Sequence, residues 1–236
     1  MATYHFSVKS GKRGSANTHA SYIARQGKFG KDLHQDEVVV MSSGNLPAWA
    51  NGNPFALWSA ADKYERSNGS AYREFEMALP AELTTEQQVQ LVEEFVALNI
   101  GDKPYQYAIH APQAAMGEVS QPHVHTMFCD RKSDGIERSP ELHFKRHNAK
   151  RPELGGSKKD SGGKLPVVLK GELIDTRESW ANLQNQYLEK YGHEQRVDHR
   201  SNRDRNINKE AERHLGKATI QKMTDDEKAR YKRNRQ

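Results

Sequence analysis

The chain has one cysteine, Cys129, in 236 residues. That excludes an internal disulfide and a cysteine-built zinc cage. No apolar run approaches the length that a membrane-spanning helix needs. The opening stretch MATYHFSVKSGKRG lacks the apolar core of a secretory signal. Internal repeats are absent, and so is the HExxH helix of zinc peptidases. With 28% charged residues, the composition is that of a polar chain with one sizeable core and a possible appendage. The expectation is a cytoplasmic protein without membrane insertion.

What the chain does have is unevenly placed positive charge. The formal net charge is +5. From Arg196 to Gln236 there are 13 Lys and Arg against 7 Asp and Glu, a net of +6, so the rest carries −1. A second basic stretch, HFKRHNAKRPELGGSKKDSGGKLPVVLK, runs from His143 to Lys170 and reads as a flexible Gly-rich loop. Polyanion binding is the functional reading of both, against a plain solvated loop and tail. The residues placed for phosphate contacts are Lys145, Arg146, Lys150, Arg151, Lys158 and Lys159 in the loop, and Arg200, Arg203 and Arg205 in the arm.

Periodicity supplies the elements. TYHFSVKS alternates as a first strand, with His5, Ser7 and Lys9 on one face. ANTHASYIARQGK reads as a short helix that Gly27 ends. A weaker strand covers Glu37 to Ser42. Asn53-Pro54 caps a helix carrying Phe55, Trp58, Ala61 and Tyr64, with Gly69 as its stop. AYREFEMALP is a strand that Pro80 ends. Thr85 to Gln88 has the form of a capping box, opening a helix with Val89, Val92, Phe95 and Val96 inward. PYQYAIH and HVHTMFCD then pair as an antiparallel hairpin. DTRESWANLQNQYLEKYG is an amphipathic helix with Trp180, Leu183, Tyr187 and Leu188 inward and Gly192 as stop. The fold class is α+β, a mainly antiparallel sheet flanked by helices, with a basic arm of one or two helices. The division expected is 1–200 for the main domain and 201–236 for the arm.

The hairpin concentrates histidine. In QPHVHTMF, Gln121 to Phe128, strand period 2 puts His123 and His125 on one face. His110 ends the preceding strand, so an antiparallel return sets it opposite or diagonal to that pair. Three imidazoles converging on adjacent strands suit a three-ligand metal site with open positions. The bland alternative is a chance cluster of surface histidines. Glu74 and Glu76 share one face of the AYREFEMALP strand. Either could orient a ligand histidine or take a proton from a nucleophile, or both could simply face solvent. An open metal site beside basic flanks points to phosphodiester chemistry.

Taken in order, these segments resemble the MobA/MobL relaxases, which nick DNA for conjugation and belong to the HUH (His-hydrophobic-His) endonucleases. HVH matches the HUH motif and His110 its third histidine. YHFSVKSGKRGSA, ASYIARQGKF, REFEMALPAEL, DGIERSPELHFKRHNAK and DHRSNRDRNINKEAERHLG match the family's successive landmarks, from Tyr4 to about Gly216. The resemblance implies that Tyr22 of ASYIARQG is the nucleophile; by itself a helical tyrosine is more often core packing. It also implies that His110, His123 and His125 hold Mn²⁺ or Mg²⁺, and that Glu74 and Glu76 form the acidic pair. Three imidazoles alone would suit Zn²⁺, Co²⁺ or Ni²⁺ in raw affinity. The implied reaction is transesterification on single-stranded transfer-origin DNA with a nearby hairpin or inverted repeat, leaving a 5′-phosphotyrosyl bond that is later resealed. Implied partners are accessory nicking proteins and a type IV secretion coupling protein. A phenol titrates near a pH of about 10, so the nucleophile needs help at neutral pH. DNA affinity should fall steeply with salt. The competing readings are a rolling-circle initiator or single-strand transposase of the HUH class, a non-catalytic DNA-binding accessory protein, and a metal-dependent hydrolase that uses water.

Overall fold

The computed structural model describes residues 3–32, 38–112, 120–209 and 217–235. In chain order the elements are β1 (Phe6–Lys12), α1 (Ala16–Ile23), β2 (Val38–Gly44), α2 (Pro54–Tyr64), β3 (Ser70–Ala78), α3 (Thr85–Asn99), β4 (Tyr105–His110), β5 (His123–Phe128), α4 (Pro140–His143), α5 (Pro166–Lys190), α6 (Lys217–Lys222) and α7 (Asp225–Arg235). The strands form one five-stranded sheet in the order β1-β3-β5-β4-β2. Every neighbouring pair is antiparallel. The α+β architecture read from periodicity is the one observed. No described helix is long and apolar enough to cross a membrane.

Alternation along the strands sorts side chains onto two faces. Phe6, Phe75, Met77, Tyr107, Ile109, Val124 and Phe128 point to one side, where they bury against Leu91, Val92, Phe95 and Val96 of α3 and Trp180, Leu183 and Leu188 of α5. The Phe95 and Trp180 rings meet edge to face at 5.0 Å. Ala108 and Met127 point to the other side, against Ala20 and Ile23 of α1 and Leu57, Trp58 and Ala61 of α2. The buried Trp58 indole donates to Gln106 Oε1 at 2.8 Å. The three histidines lie on this second face, beyond the end of its apolar core.

Four expectations shift. Helix α1 ends at Ile23, because Arg25 takes a left-handed φ of 50° before Gly27 is reached. Helix α2 stops at Tyr64, where Glu65 is already extended, and Gly69 follows in a turn. The capping box belongs to Thr84 and Gln87, not to Thr85 and Gln88. Gln88 is buried, and its amide donates to the Pro80 and Leu83 carbonyls, so it cannot reach back to a cap. The weak strand is real as Val38–Gly44; Glu37 lies outside the described residues.

A further shift is larger than these four. The basic stretch is ordered around two buried arginines, Arg131 and Arg138. Arg131 donates to the carbonyls of Lys145, Ser157 and Phe144 and to Glu65 Oε2. Arg138 donates to the Gly155 and Pro152 carbonyls and grips Asp134 with both terminal nitrogens. Gly156 passes so close that a Cβ there would lie 2.0 Å from the Lys145 carbonyl oxygen. Helix α5 begins at Pro166, so its first turns come from the stretch read as loop.

Candidate active site

Helix α1 is held at both ends. Ser15, at its N-cap, makes no side-chain cap bond. Asp62 of α2 replaces it: one carboxylate oxygen accepts the Gly14 and Ala16 N–H groups and the other that of Asn17, each at 2.8 Å. These are N–H groups at the start of the helix, which need an acceptor from outside it. At the far end, His110 Nε2 donates to the Ile23 carbonyl at 2.7 Å. A histidine of β4 thus fixes the helix that carries Tyr22.

The hairpin register sets His110 directly opposite His123. The ring centroids of His110, His123 and His125 are 5.0 to 5.3 Å apart. One ring nitrogen from each lies within 4.8 Å of the others, a group able to hold a metal ion. Each ring also has a protein acceptor for one nitrogen: the Ile23 carbonyl for His110, the Gln121 carbonyl for His123 and Glu74 Oε1 for His125. Acceptors of this kind fix the tautomer and leave the second nitrogen as the ligand atom. Burial, with the neighbouring His125 and His123 charges, lowers the His110 pKa to about 4, so its ring is neutral at physiological pH.

The two glutamates occupy different surroundings. Glu74 is fully buried. Its Oε1 accepts from His125 Nδ1 at 2.6 Å and its Oε2 from His19 Nε2 at 2.7 Å. Burial pushes its pKa up, but the two histidine bonds outweigh burial and bring it to about 2. Glu76 stands opposite His125 on β3 and pairs with Lys9 of β1. Burial raises its pKa, and the Lys9 bond and the nearby His125 charge more than offset that. Glu74, Glu76 and His125 also form a second close group of ligand-type atoms. Lys9 loses some basicity to burial, but the Glu76 bond and the charges of Glu74, Glu76 and Tyr22 raise its pKa overall. It stays an ammonium beside these groups.

Tyr22 is 40% exposed. Its ring stacks on His19 at 6.1 Å, meets Phe29 edge-on at 5.5 Å and lies under the Arg25 guanidinium at 4.5 Å.

The family model for MobA/MobL matches residues 12–225. The chain belongs to the MobA/MobL family. It is 48% identical over 211 residues to the "43 kDa relaxation protein" of Salmonella typhimurium, covering 89% of this chain and 57% of that protein. It is 42% identical over 226 residues to "Mobilization protein A" of Escherichia coli, covering 94% of this chain and 30% of that one. The chain therefore spans little more than half, or less, of these relatives. A solved structure described as "Molecular Basis of Vancomycin Resistance Transfer in Staphylococcus aureus" shares the fold, with a TM-score of 0.60 at 22% identity over 85% of this chain and all of that one.

In this MobA/MobL chain the structure brings together His110, His123, His125, Glu74 and Glu76, and ties the Tyr22 helix to them. Three further residues went unassigned in the sequence reading. His19 is three residues before Tyr22, a same-face helical spacing that could have drawn attention to it. Lys9 had been put on a strand face but given no role. Asp62 carries no local signal, since its partners are 45 to 48 positions away. Among the basic candidates, Lys145, Arg146, Lys150, Arg151 and Lys158 are exposed. Lys159 turns inward to the Ser70 carbonyl and Glu65. Arg200 and Arg205 both pair with Asp198, and Arg203 is exposed.

Proposed function

We propose that the protein is a conjugative DNA relaxase that nicks one strand at a plasmid transfer origin by tyrosine transesterification. The observation that carries this reading is the three-histidine cluster whose His110 also anchors the Tyr22 helix, in a chain of the MobA/MobL family. Relatives named for relaxation and mobilization support the biological setting.

The donor set fits a divalent cation: three imidazoles with fixed tautomers, one of them kept neutral by burial. His110, His123 and His125 would hold Mn²⁺ or Mg²⁺, which supplies charge neutralisation on the non-bridging oxygens of the scissile phosphate. Tyr22 Oη attacks phosphorus; the Oη–P bond forms, the P–O3′ bond breaks, and the leaving 3′-oxygen takes a proton from water to become a hydroxyl. The phenolic proton passes to water at the exposed face of Tyr22. Glu74 orients His125, while Glu76 holds Lys9 in place. One phosphodiester replaces another, so the step reverses readily and the strand can be rejoined. Residues 1–200 form the nicking domain and 201–236 a basic arm. Lys145, Arg146, Lys150, Arg151, Lys158, Arg200, Arg203 and Arg205 contact phosphates, whereas Lys159 braces the fold. Accessory nicking proteins and a type IV secretion coupling protein complete the setting.

The test is covalent trapping. The protein is incubated with Mn²⁺ and single-stranded DNA from the transfer origin of its own plasmid, then run on a denaturing gel. A slow-migrating adduct that chelator abolishes and Mn²⁺ restores is the expected result. Cleavage without an adduct would mean a water-using hydrolase, and binding without cleavage an accessory protein.

Removing the Glu74 carboxylate should act on the cation before it acts on DNA. Loss of a carboxylate partner typically weakens metal affinity by about 10- to 100-fold. Titration calorimetry of Glu74→Ala with Mn²⁺, without DNA, should show a loss in that range, and wild-type affinity would refute the orienting role.

A further inference from the structure

We propose that His19 is a positioning residue for Tyr22, a ring that fixes the direction of the phenol and links it to the three-histidine cluster through Glu74. The inference rests on the relaxase reading and adds a residue to it.

The geometry starts with spacing. His19 and Tyr22 stand three residues apart on α1, so their side chains share a face. The His19 ring lies nearly parallel to Tyr72, at 5.1 Å and 10°, and to Tyr22, at 6.1 Å and 23°. Tyr72, His19 and Tyr22 therefore make one stack running from the sheet to the candidate nucleophile. The base of the stack is fixed by the backbone beneath it. Gly11 is the cross-strand partner of Tyr72, and a Cβ there would lie 1.9 Å from the Tyr72 ring. The strand leaves its side-chain space to that ring.

The middle of the stack is fixed by a hydrogen bond. His19 Nε2 donates to Glu74 Oε2 at 2.7 Å, while Glu74 Oε1 accepts from His125. One buried carboxylate thereby sets both a candidate metal ligand and the stacking partner of the nucleophile. At the top, Phe29 and Arg25 flank the Tyr22 ring. An exposed tyrosine would otherwise sample several rotamers, and a reacting oxygen displaced by about 1 Å can lower a rate by about 100-fold. Packing a ring against Tyr22 is what a helical surface position would not supply by itself.

The experiment compares His19→Ala with His19→Phe, which keeps the ring and loses the N–H. Single-turnover adduct formation should fall by about 10- to 100-fold in His19→Ala. It should stay within about 10-fold of wild type in His19→Phe, and Kd for single-stranded DNA should stay within about three-fold in both. A second readout needs no activity. The ¹⁹F resonance of 3-fluorotyrosine at position 22, in metal-free protein, should be a single dispersed line in wild type and His19→Phe. In His19→Ala it should move toward the value of a free tyrosine. Wild-type rates in His19→Ala, or a rate loss matched by weaker DNA binding, would each overturn the proposal. If wild type forms no adduct with any divalent cation, the relaxase reading falls, and the ¹⁹F comparison still decides whether His19 orients Tyr22.

Discussion

Tyr22→Phe should remove the covalent protein–DNA adduct, lowering its rate of formation by on the order of 1,000-fold or more, with little change in DNA affinity. The substitution deletes one oxygen and nothing else. The ring still stacks on His19 and meets Phe29, so helix α1 has no reason to move. The anchors of that helix, Asp62 and His110, are untouched. Cation binding, judged by calorimetry, should match wild type because no ligand atom is lost. This separation is what makes the variant informative: chemistry disappears while both binding steps persist. An adduct that survives at wild-type rate would assign the attack to another residue. Tyr4 and Tyr72 are poor substitutes. The Tyr4 hydroxyl donates to the Arg177 carbonyl on the α5 side, and burial pushes its pKa well above the ordinary phenol range. The Tyr72 pKa is also raised, by burial and by the Glu74 charge.

Arg131→Met should be the most destabilising single change outside the site, costing about 3–5 kcal/mol in urea unfolding. Arg131 is 2% exposed and faces an almost completely buried Glu65. Its loss strands that carboxylate and leaves the carbonyls of Lys145, Ser157 and Phe144 short of donors. Lys159 remains 3.2 Å from Glu65 and compensates only in part. Adding Glu65→Gln to Arg131→Met should recover a measurable part of the loss, since the stranded charge is then gone. No recovery would place the effect in the carbonyl contacts alone. The same cluster sets an acid response. Burial raises the Glu65 pKa, and the Arg131 and Lys159 charges more than reverse that. Its contribution is therefore complete above the unfolded carboxyl pKa and lost as pH falls through the folded one. His143, lowered to about 4 by burial and by the charges of Arg131 and Arg138, has the same sign. Its share is complete above an unfolded pKa of about 6.5 and declines as pH drops toward the folded value. Wild type should lose stability from mildly acidic pH downward, and Arg131→Met should lose less over that range.

Much of the sheet and of the histidine cluster was legible because both depend on a period of two. Alternation located the strands, and the hairpin return set His110 opposite or diagonal to the His123/His125 pair. Tyr22 could not be found this way. Nothing about its spacing separates it from a core tyrosine, and only the family resemblance singled it out. The two glutamates share one strand face, and the sequence leaned to Glu76, nearer the apolar end of the strand; what separates them is burial and the arrival of His19 from α1, a tertiary fact. The basic stretch misled for a related reason. The stretch is rich in Lys, Arg and Gly, yet its order comes from Arg131 and Arg138 reaching carbonyls up to 26 positions away. Helix α5 was recognised from Asp175 onward, just ahead of Trp180, where its buried face begins. Its first turns, with Leu165 and Val167 exposed, carry no amphipathic signal.

The strand order has a kinetic consequence. Among the described residues, β5 is the last strand in sequence and the middle one in space, joining the β1–β3 pair to the β4–β2 pair. Until residue 128 is available, those pairs are two separate ribbons with no shared hydrogen bonds, and isolated two-stranded ribbons are marginal in water. At translation rates of about 5–20 residues per second, the N-terminal strands wait several seconds for their centrepiece. The same strand delivers His123 and His125. Closure of the sheet and assembly of the histidine cluster are therefore one event on the ribosome, and a nascent chain too short to fold is also too short to bring the three histidines together.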